Sequence, residues 1–257
     1  MMKLRPFHIV AVVGSNNQNS FTERVTEALL QVICKKQERY TYQMVPLREW
    51  KLAYCEGCAQ CFCRGYCTLD QKDGFGQLRA LLVSADCLVF ASPVYAHNVT
   101  GIMKTFIDRL TYSAHLLQYA GQLGFTVTTT SGSGAEVVSS YLQKIQNMLG
   151  IKNLCNFSYV SSDDRWDNFL GESAEKIVSR LNNTFSLSSN LLEEEFEFYI
   201  DSNKKLCELY KEDFVVSSMP VSEIEYWTKD WPSECRSFQE FAVKNKALNS
   251  QKNGETK

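Results

Sequence analysis

The sequence predicts an α/β protein: a doubly wound, five-stranded parallel sheet of strand order 2-1-3-4-5, followed by a helical C-terminal extension. Three observations predict it. Strand-like and helix-like patterns alternate five times before residue 190. The strand-like runs are short, apolar and β-branched, as strands covered on both faces are. Each parallel crossover needs a helix, and right-handed connections distribute helices over both faces. After residue 190 the rhythm stops and helical spacing takes over.

The elements follow in order. Residues 8–13 are a continuous apolar run closed by Gly14, the first strand. Residues 21–35 carry Val25, Leu29, Leu30 and Ile33 at helical spacing, with Ser20 as N-cap. The second strand is 40–47, and 75–84 is a helix. Residues 87–91 form the third strand and 101–119 one long helix. The fourth strand is 125–130, followed by a helix at 136–149. The fifth strand is 154–160 and the last helix of this unit 172–187. Helices at 191–210 and 233–248 flank the aromatic stretch containing Tyr226, Trp227 and Trp231, which needs a surface to pack on. The expected units are therefore 1–189, the helical extension 190–248, and a disordered polar tail at 249–257.

Composition narrows the function. Of 257 residues, 44% are hydrophobic and the net charge is −2, which favours neither nucleic acid nor an anionic membrane. The apolar run before Gly14 is too short for a signal core or a membrane span, so a cytoplasmic location is expected. There the 10 cysteines are not expected to form structural disulfides.

The strand-order reversal in such a sheet lies between strands one and three, where ligands bind beyond the carboxyl ends. The two loops there are the most distinctive in the chain. After strand one comes Gly14-Ser15-Asn16-Asn17-Gln18-Asn19-Ser20-Phe21-Thr22. Gly14 allows the sharp turn, and Ser15, Asn17, Asn19, Ser20 and Thr22 offer neutral donors at a helix N-terminus, a phosphate-binding arrangement. It lacks the Gly-Lys-Ser/Thr of a P-loop and the Gly-x-Gly-x-x-Gly of a dinucleotide fold. After strand three comes Ser92-Pro93-Val94-Tyr95-Ala96-His97, and a helix bearing Lys104-Thr105-Phe106-Ile107-Asp108-Arg109 follows.

That order of parts resembles the flavodoxin-like NAD(P)H-dependent FMN reductases, over roughly the first two-thirds of the chain. The resemblance implies that Gly14, Ser15, Asn17, Asn19, Ser20, Phe21 and Thr22 bind the FMN phosphate. It implies that Pro93, Val94, Tyr95 and Ala96 line the flavin, with Ser131, Gly132 and Ser133 as a third loop. Relatives often carry Arg or Lys where Asn16 and Asn17 stand. Hydride from NAD(P)H to bound FMN, then delivery to a small molecule or redox partner protein, is the implied activity, in a homodimer or higher homo-oligomer. No dedicated acid or base is obvious; Tyr95 and His97 are catalytic candidates, and His97 reads equally as a surface histidine. Lys104, Asp108 and Arg109 read as structural or interface charges.

Cys55, Cys58, Cys61 and Cys67 are spaced C-x2-C-x2-C-x5-C, with Cys63 between the last two. Compact thiolate spacing can wrap one metal centre. It resembles the iron–sulfur flavoprotein branch of the same family, implying a 4Fe-4S cluster and an electron carrier with a ferredoxin-like partner. Redox thiols and zinc stay open beside it, as does a non-catalytic flavin or thiol sensor. Cys34, Cys87, Cys155, Cys207 and Cys235 are scattered and read as small buried hydrophobes.

Overall fold

The computed structural model describes residues 5–184, 186–210 and 220–254. Its centre is a five-stranded parallel sheet ordered β2-β1-β3-β4-β5: β1 (Phe7–Val13), β2 (Tyr40–Pro46), β3 (Cys87–Pro93), β4 (Leu123–Thr130) and β5 (Lys152–Val160). Fold class and strand order are those expected from the sequence. Alternation explains the two layers. Ile9, Ala11 and Val13 face α1 (Phe21–Lys36) and α8 (Trp166–Asn182). Val10 and Val12 face α4 (Phe75–Ser84), α5 (Gly101–Arg109) and α7 (Ala135–Met148). The central strands β1, β3 and β4 are buried on both sides, hence the unbroken apolar runs.

Two helices of the body differ from expectation. The helix expected at 101–119 is broken: α5 stops at Arg109, and the short α6 (Thr111–His115) follows. Leu117 then takes a left-handed backbone (φ 44°) while fully buried in the C-terminal cluster. Burial of that side chain outweighs helical continuity there. The helix expected at 172–187 is α8, beginning at Trp166 and ending at Asn182. Its start is drawn back because Trp166 packs edge-on and Phe169 tilted against Tyr159, with ring centroids at 5.4 and 4.7 Å. Residue 185 lies outside the described residues.

The extension folds onto the body. Its helices are α9 (Asn190–Tyr210), α10 (Val221–Trp227), α11 (Asp230–Ser233) and α12 (Phe238–Gly254). Phe196, Tyr199, Trp227, Phe238 and Phe241 form a third core with Leu117 and Ala120. The aromatic stretch therefore has its surface: Trp227 also donates its indole N–H to the His115 carbonyl at 2.9 Å. The last helix expected at 233–248 runs instead from Phe238 to Gly254, so the polar residues at 249–254 are helical. Asn249 helps hold this turn, donating to the Gln118 carbonyl at 3.2 Å. Residues 255–257 of the expected tail lie outside the described residues. Among the described residues no helix is long and apolar enough to cross a membrane.

Candidate cofactor site

Three loops meet at the carboxyl ends of β1, β3 and β4, around the strand-order reversal. The β1 loop begins at Gly14, whose N–H donates to Ala91 O at 2.8 Å. A Cβ on Gly14 would stand 2.6 Å from Met103 Cβ, so only glycine admits this approach. Ser15 is buried and accepts from Asn17 N; Asn17 Oδ1 accepts from Asn19 N at 2.9 Å. Ser20 caps α1 as expected, accepting from Glu23 N at 3.2 Å. The Phe21 and Thr22 amides, in the first turn of α1, make no bond to protein acceptors among the described residues. The side chains of these two residues serve the fold. Phe21 packs on Tyr159 and Trp166, and the buried Thr22 hydroxyl bonds Thr129 Oγ1 at 2.7 Å.

No Lys or Arg lies in the 14–22 loop, and the nearest cations on α1 and after β2 are already engaged. Arg48 makes a forked ion pair with Glu23, its second contact 3.1 Å, and Arg24 lies over the Phe21 ring. The Glu23 hydrogen bond raises the Arg48 pKa further, locking the charge. A cavity of about 290 Å³ lies here, lined by Gln18, Asn19, Ser20, Glu23, Arg24 and Glu27.

The β3 loop leaves Pro93, with Val94 N bonded to Thr129 O at 2.9 Å. Tyr95 and Asn98 exchange backbone bonds of 2.9 and 3.0 Å around Ala96 (φ 49°) and His97 (φ 59°). Two left-handed central residues define a type I′ turn, unusual without glycine or asparagine. Tyr95 is 52% exposed, so its ring is available rather than packed. The β4 loop closes on this turn: Ser133 Oγ lies 3.3 Å from His97 Nε2. Within it, Thr130 Oγ1 donates to Ser133 O and accepts from Gly132 N. Ser131 is exposed. His97 thus has a partner in the third loop, which neither sequence reading foresaw.

Thr100 is the residue that sequence reasoning missed. Its hydroxyl donates to Gly14 O at 2.7 Å and accepts from Met103 N at 3.2 Å. It caps α5 and ties the β3 loop to the β1 loop at once. Its signal was present: a threonine directly before an apolar helical pattern.

The cysteine segment leaves the body after Ala53. Residues 54–59 are all exposed, and α2 (Gln60–Arg64) follows between two left-handed residues, Ala59 and Gly65. Cys55 and Cys58 are exposed; Cys61, Cys63 and Cys67 are half-buried. Burial, then the nearby Cys67 and Cys55 thiols, push Cys61 up to about 11. Among the described residues no three of His, Cys, Asp or Glu are gathered as a metal site. Four cysteines on one short segment are the donor type that a thiolate-held centre uses. Of the scattered cysteines, Cys87, Cys155 and Cys235 are buried and Cys34 and Cys207 half-buried.

Arg109 anchors the base of this segment. Its buried guanidinium bonds Asp73, Asp70 Oδ1 (2.8 Å) and Ala53 O (3.1 Å), and lies 4.6 Å from the Phe75 ring centroid. The structural reading of this arginine holds. Lys104 and Asp108 pair with each other on the exposed side of α5.

A family model described as NADPH-dependent FMN reductase matches residues 7–164. The chain belongs to this family. An iron–sulfur flavoprotein of Archaeoglobus fulgidus is 31% identical over 143 residues, 55% of this chain and 63% of that protein. An iron–sulfur flavoprotein of Clostridioides difficile is 28% identical over 131 residues, 51% of this chain and 58% of that one. The chain thus spans less than two thirds of the length of these curated relatives. Among solved structures, the apo form of an NADH:FMN oxidoreductase (EMOB) superposes with TM-score 0.52 at 20% identity. That likeness, over 67% of this chain and 89% of the other, concerns the fold. In this FMN reductase family member, the matched segment ends before the helical extension begins.

Proposed function

We propose that this chain is an FMN-dependent oxidoreductase that takes hydride from NAD(P)H and passes electrons to a small-molecule or protein acceptor. One observation carries the reading: three loops are tied together at the carboxyl ends of β1, β3 and β4, through Thr100–Gly14, Thr22–Thr129 and His97–Ser133. Bound FMN would supply the hydride-accepting centre.

The chain's own residues supply the rest. The unpaired amides of Phe21 and Thr22, at the positive end of α1, are suited to the phosphate. Neutral donors carry this part of the site, because Arg48 is committed to Glu23. The Val94–His97 backbone would run along the flavin. Ala96 and His97 amides, without protein acceptors among the described residues, would donate to its electron-rich edge. Tyr95 would flank the ring, and Ser131, Gly132 and Ser133 would form the third side. Residues 1–189 are the FMN-binding unit in this reading, and homo-oligomerisation and a cytoplasmic setting go with it.

The iron–sulfur flavoprotein relatives favour a finer version. Cys55, Cys58, Cys61 and Cys67 would hold a 4Fe-4S cluster, supplying single-electron transfer toward a ferredoxin-like partner. Anaerobic purification with a visible spectrum and iron and sulfide analysis tests both levels. Flavin bands with NAD(P)H oxidation support the reductase. Stoichiometric iron and sulfide add the cluster. A colourless protein that FMN does not reconstitute overturns the proposal.

A further inference from the structure

We propose that the C-terminal helix α10 is a positioning element for the cysteine-bearing helix α2, so that the cysteine site depends on residues outside the family's matched segment. The functional importance of that site rests on the reading above; the positioning itself does not.

α2 has only five residues, too few to hold a helix alone. The six residues before it are exposed, so they give it no footing. Its support comes from Phe62, whose ring stands edge-on to Tyr112 and His115 of α6, with centroids at 5.5 and 4.8 Å. Both supporting side chains are held by α10. The Tyr112 and Ser222 hydroxyls are hydrogen-bonded at 2.7 Å, and His115 Nδ1 lies 3.0 Å from Glu223 Oε1. Glu223 is buried, so its carboxylate is committed to this contact rather than to water.

α10 also touches α2 directly. A Cβ on Gly65, which closes α2 at φ +80°, would lie 2.7 Å from Ser222 Oγ. The left-handed backbone and the close approach both demand glycine there. A cavity of about 260 Å³ lined by Gly65, Tyr112 and Ser222 lies along the same seam. Cys61 and Cys63 lie on α2, and Cys67 follows two residues after Gly65. The family match ends at residue 164, nearly sixty residues before this contact.

The test compares full-length wild type with Ser222→Ala/Glu223→Ala, by amide hydrogen exchange and by N-ethylmaleimide labelling of Cys61, read by peptide mass spectrometry. Exchange of the α2 amides of Phe62, Cys63 and Gly65 is expected to rise about tenfold, equivalent to about 1.4 kcal/mol. Cys61 labelling is expected to rise with it, while β3 and α4 stay unchanged. Tyr112→Phe removes one hydroxyl contact only and is expected to raise the same amides about threefold. Asn245→Ala is the control: it loses bonds from α12 to the Gln118 and Ala120 carbonyls, away from α2. Faster exchange in 221–227 with α2 unchanged would overturn the proposal. So would an Asn245→Ala effect on α2 equal to that of the α10 variant. Flavin absorbance, recorded in parallel, reports separately on the proposed function.

Discussion

Replacing Arg109 by methionine should cost about 3 kcal/mol at neutral pH, and the cost should shrink in acid. The guanidinium is 1% exposed and makes charged contacts to Asp70, Asp73 and the Ala53 carbonyl. Breaking a buried pair by removing one partner costs about 3–5 kcal/mol. The lower end applies here. Asp70 keeps Arg79, Asp73 keeps the Ala53 and Phe75 amides, and Arg109 Nε has no partner to lose. Burial pushes the Asp73 carboxyl up; the Arg109 bond and the two amides outweigh it and hold it below the usual range. A depressed carboxylate stabilises above its unfolded value of about 3.9 and loses that contribution as pH falls through the folded value. The assay is urea unfolding at pH 7 and near pH 3, with thermal melts expected to drop by about 10 °C at neutral pH. A penalty under about 1 kcal/mol, or one identical at both pH values, would refute the reasoning.

The flavin loops yield two further expectations. Thr100→Val removes the bond to Gly14 O and the cap on Met103 N together, and should cost about 2 kcal/mol and weaken FMN binding. Thr100→Ser keeps the hydroxyl and should recover most of both in urea unfolding and flavin titration; equal losses in the two variants would count against the tie. Gly14→Ala forces a Cβ against Met103 and should cost about 1–3 kcal/mol. Because the nearest opposing atom is Met103 Cβ, Gly14→Ala/Met103→Gly, which removes it, should recover more FMN affinity than Gly14→Ala/Met103→Ala, which keeps it, and equal recovery in the two would mean that the loop fails for another reason.

What could be read from the sequence, and what could not, divides along range. β1, β3 and β4 were legible because both faces are covered, leaving continuous apolar runs at 9–13, 87–91 and 125–130. Ser20 was legible because a cap is a local event four residues wide. The break after Arg109 was not, because helical spacing continues through it. What keeps the helix from resuming beyond α6 is Leu117 turning into a core built by Phe196 and Trp227, about eighty residues or more away in sequence. The earlier start of α8 comes from a nearer contact, Trp166 set edge-on to Tyr159 at the end of β5, which helical spacing alone does not reveal. The His97–Ser133 contact joins two loops 36 residues apart, so the histidine's partner was invisible to any local pattern.

The Lys-x-Phe-x-Asp-Arg helix takes on a definite job once both of its ends are considered. At the front of α5, Thr100 holds the Gly14 carbonyl of the phosphate-type loop. Phe106 packs between Phe75 and Phe90, fixing the helix to the sheet. At the back, Arg109 grips Ala53, just before the cysteines, and Asp70 and Asp73, just after them. Nine residues at 1.5 Å per residue set the two loop systems roughly 13 Å apart along one rigid element. A cysteine segment closed at its base by one arginine, and braced at its short helix by α10, therefore takes its position from the same helix that shapes the proposed flavin loops. Damage at either end of α5 should register at the other, and the Arg109→Met protein offers the direct reading: weakened FMN binding together with faster exchange after Ala53.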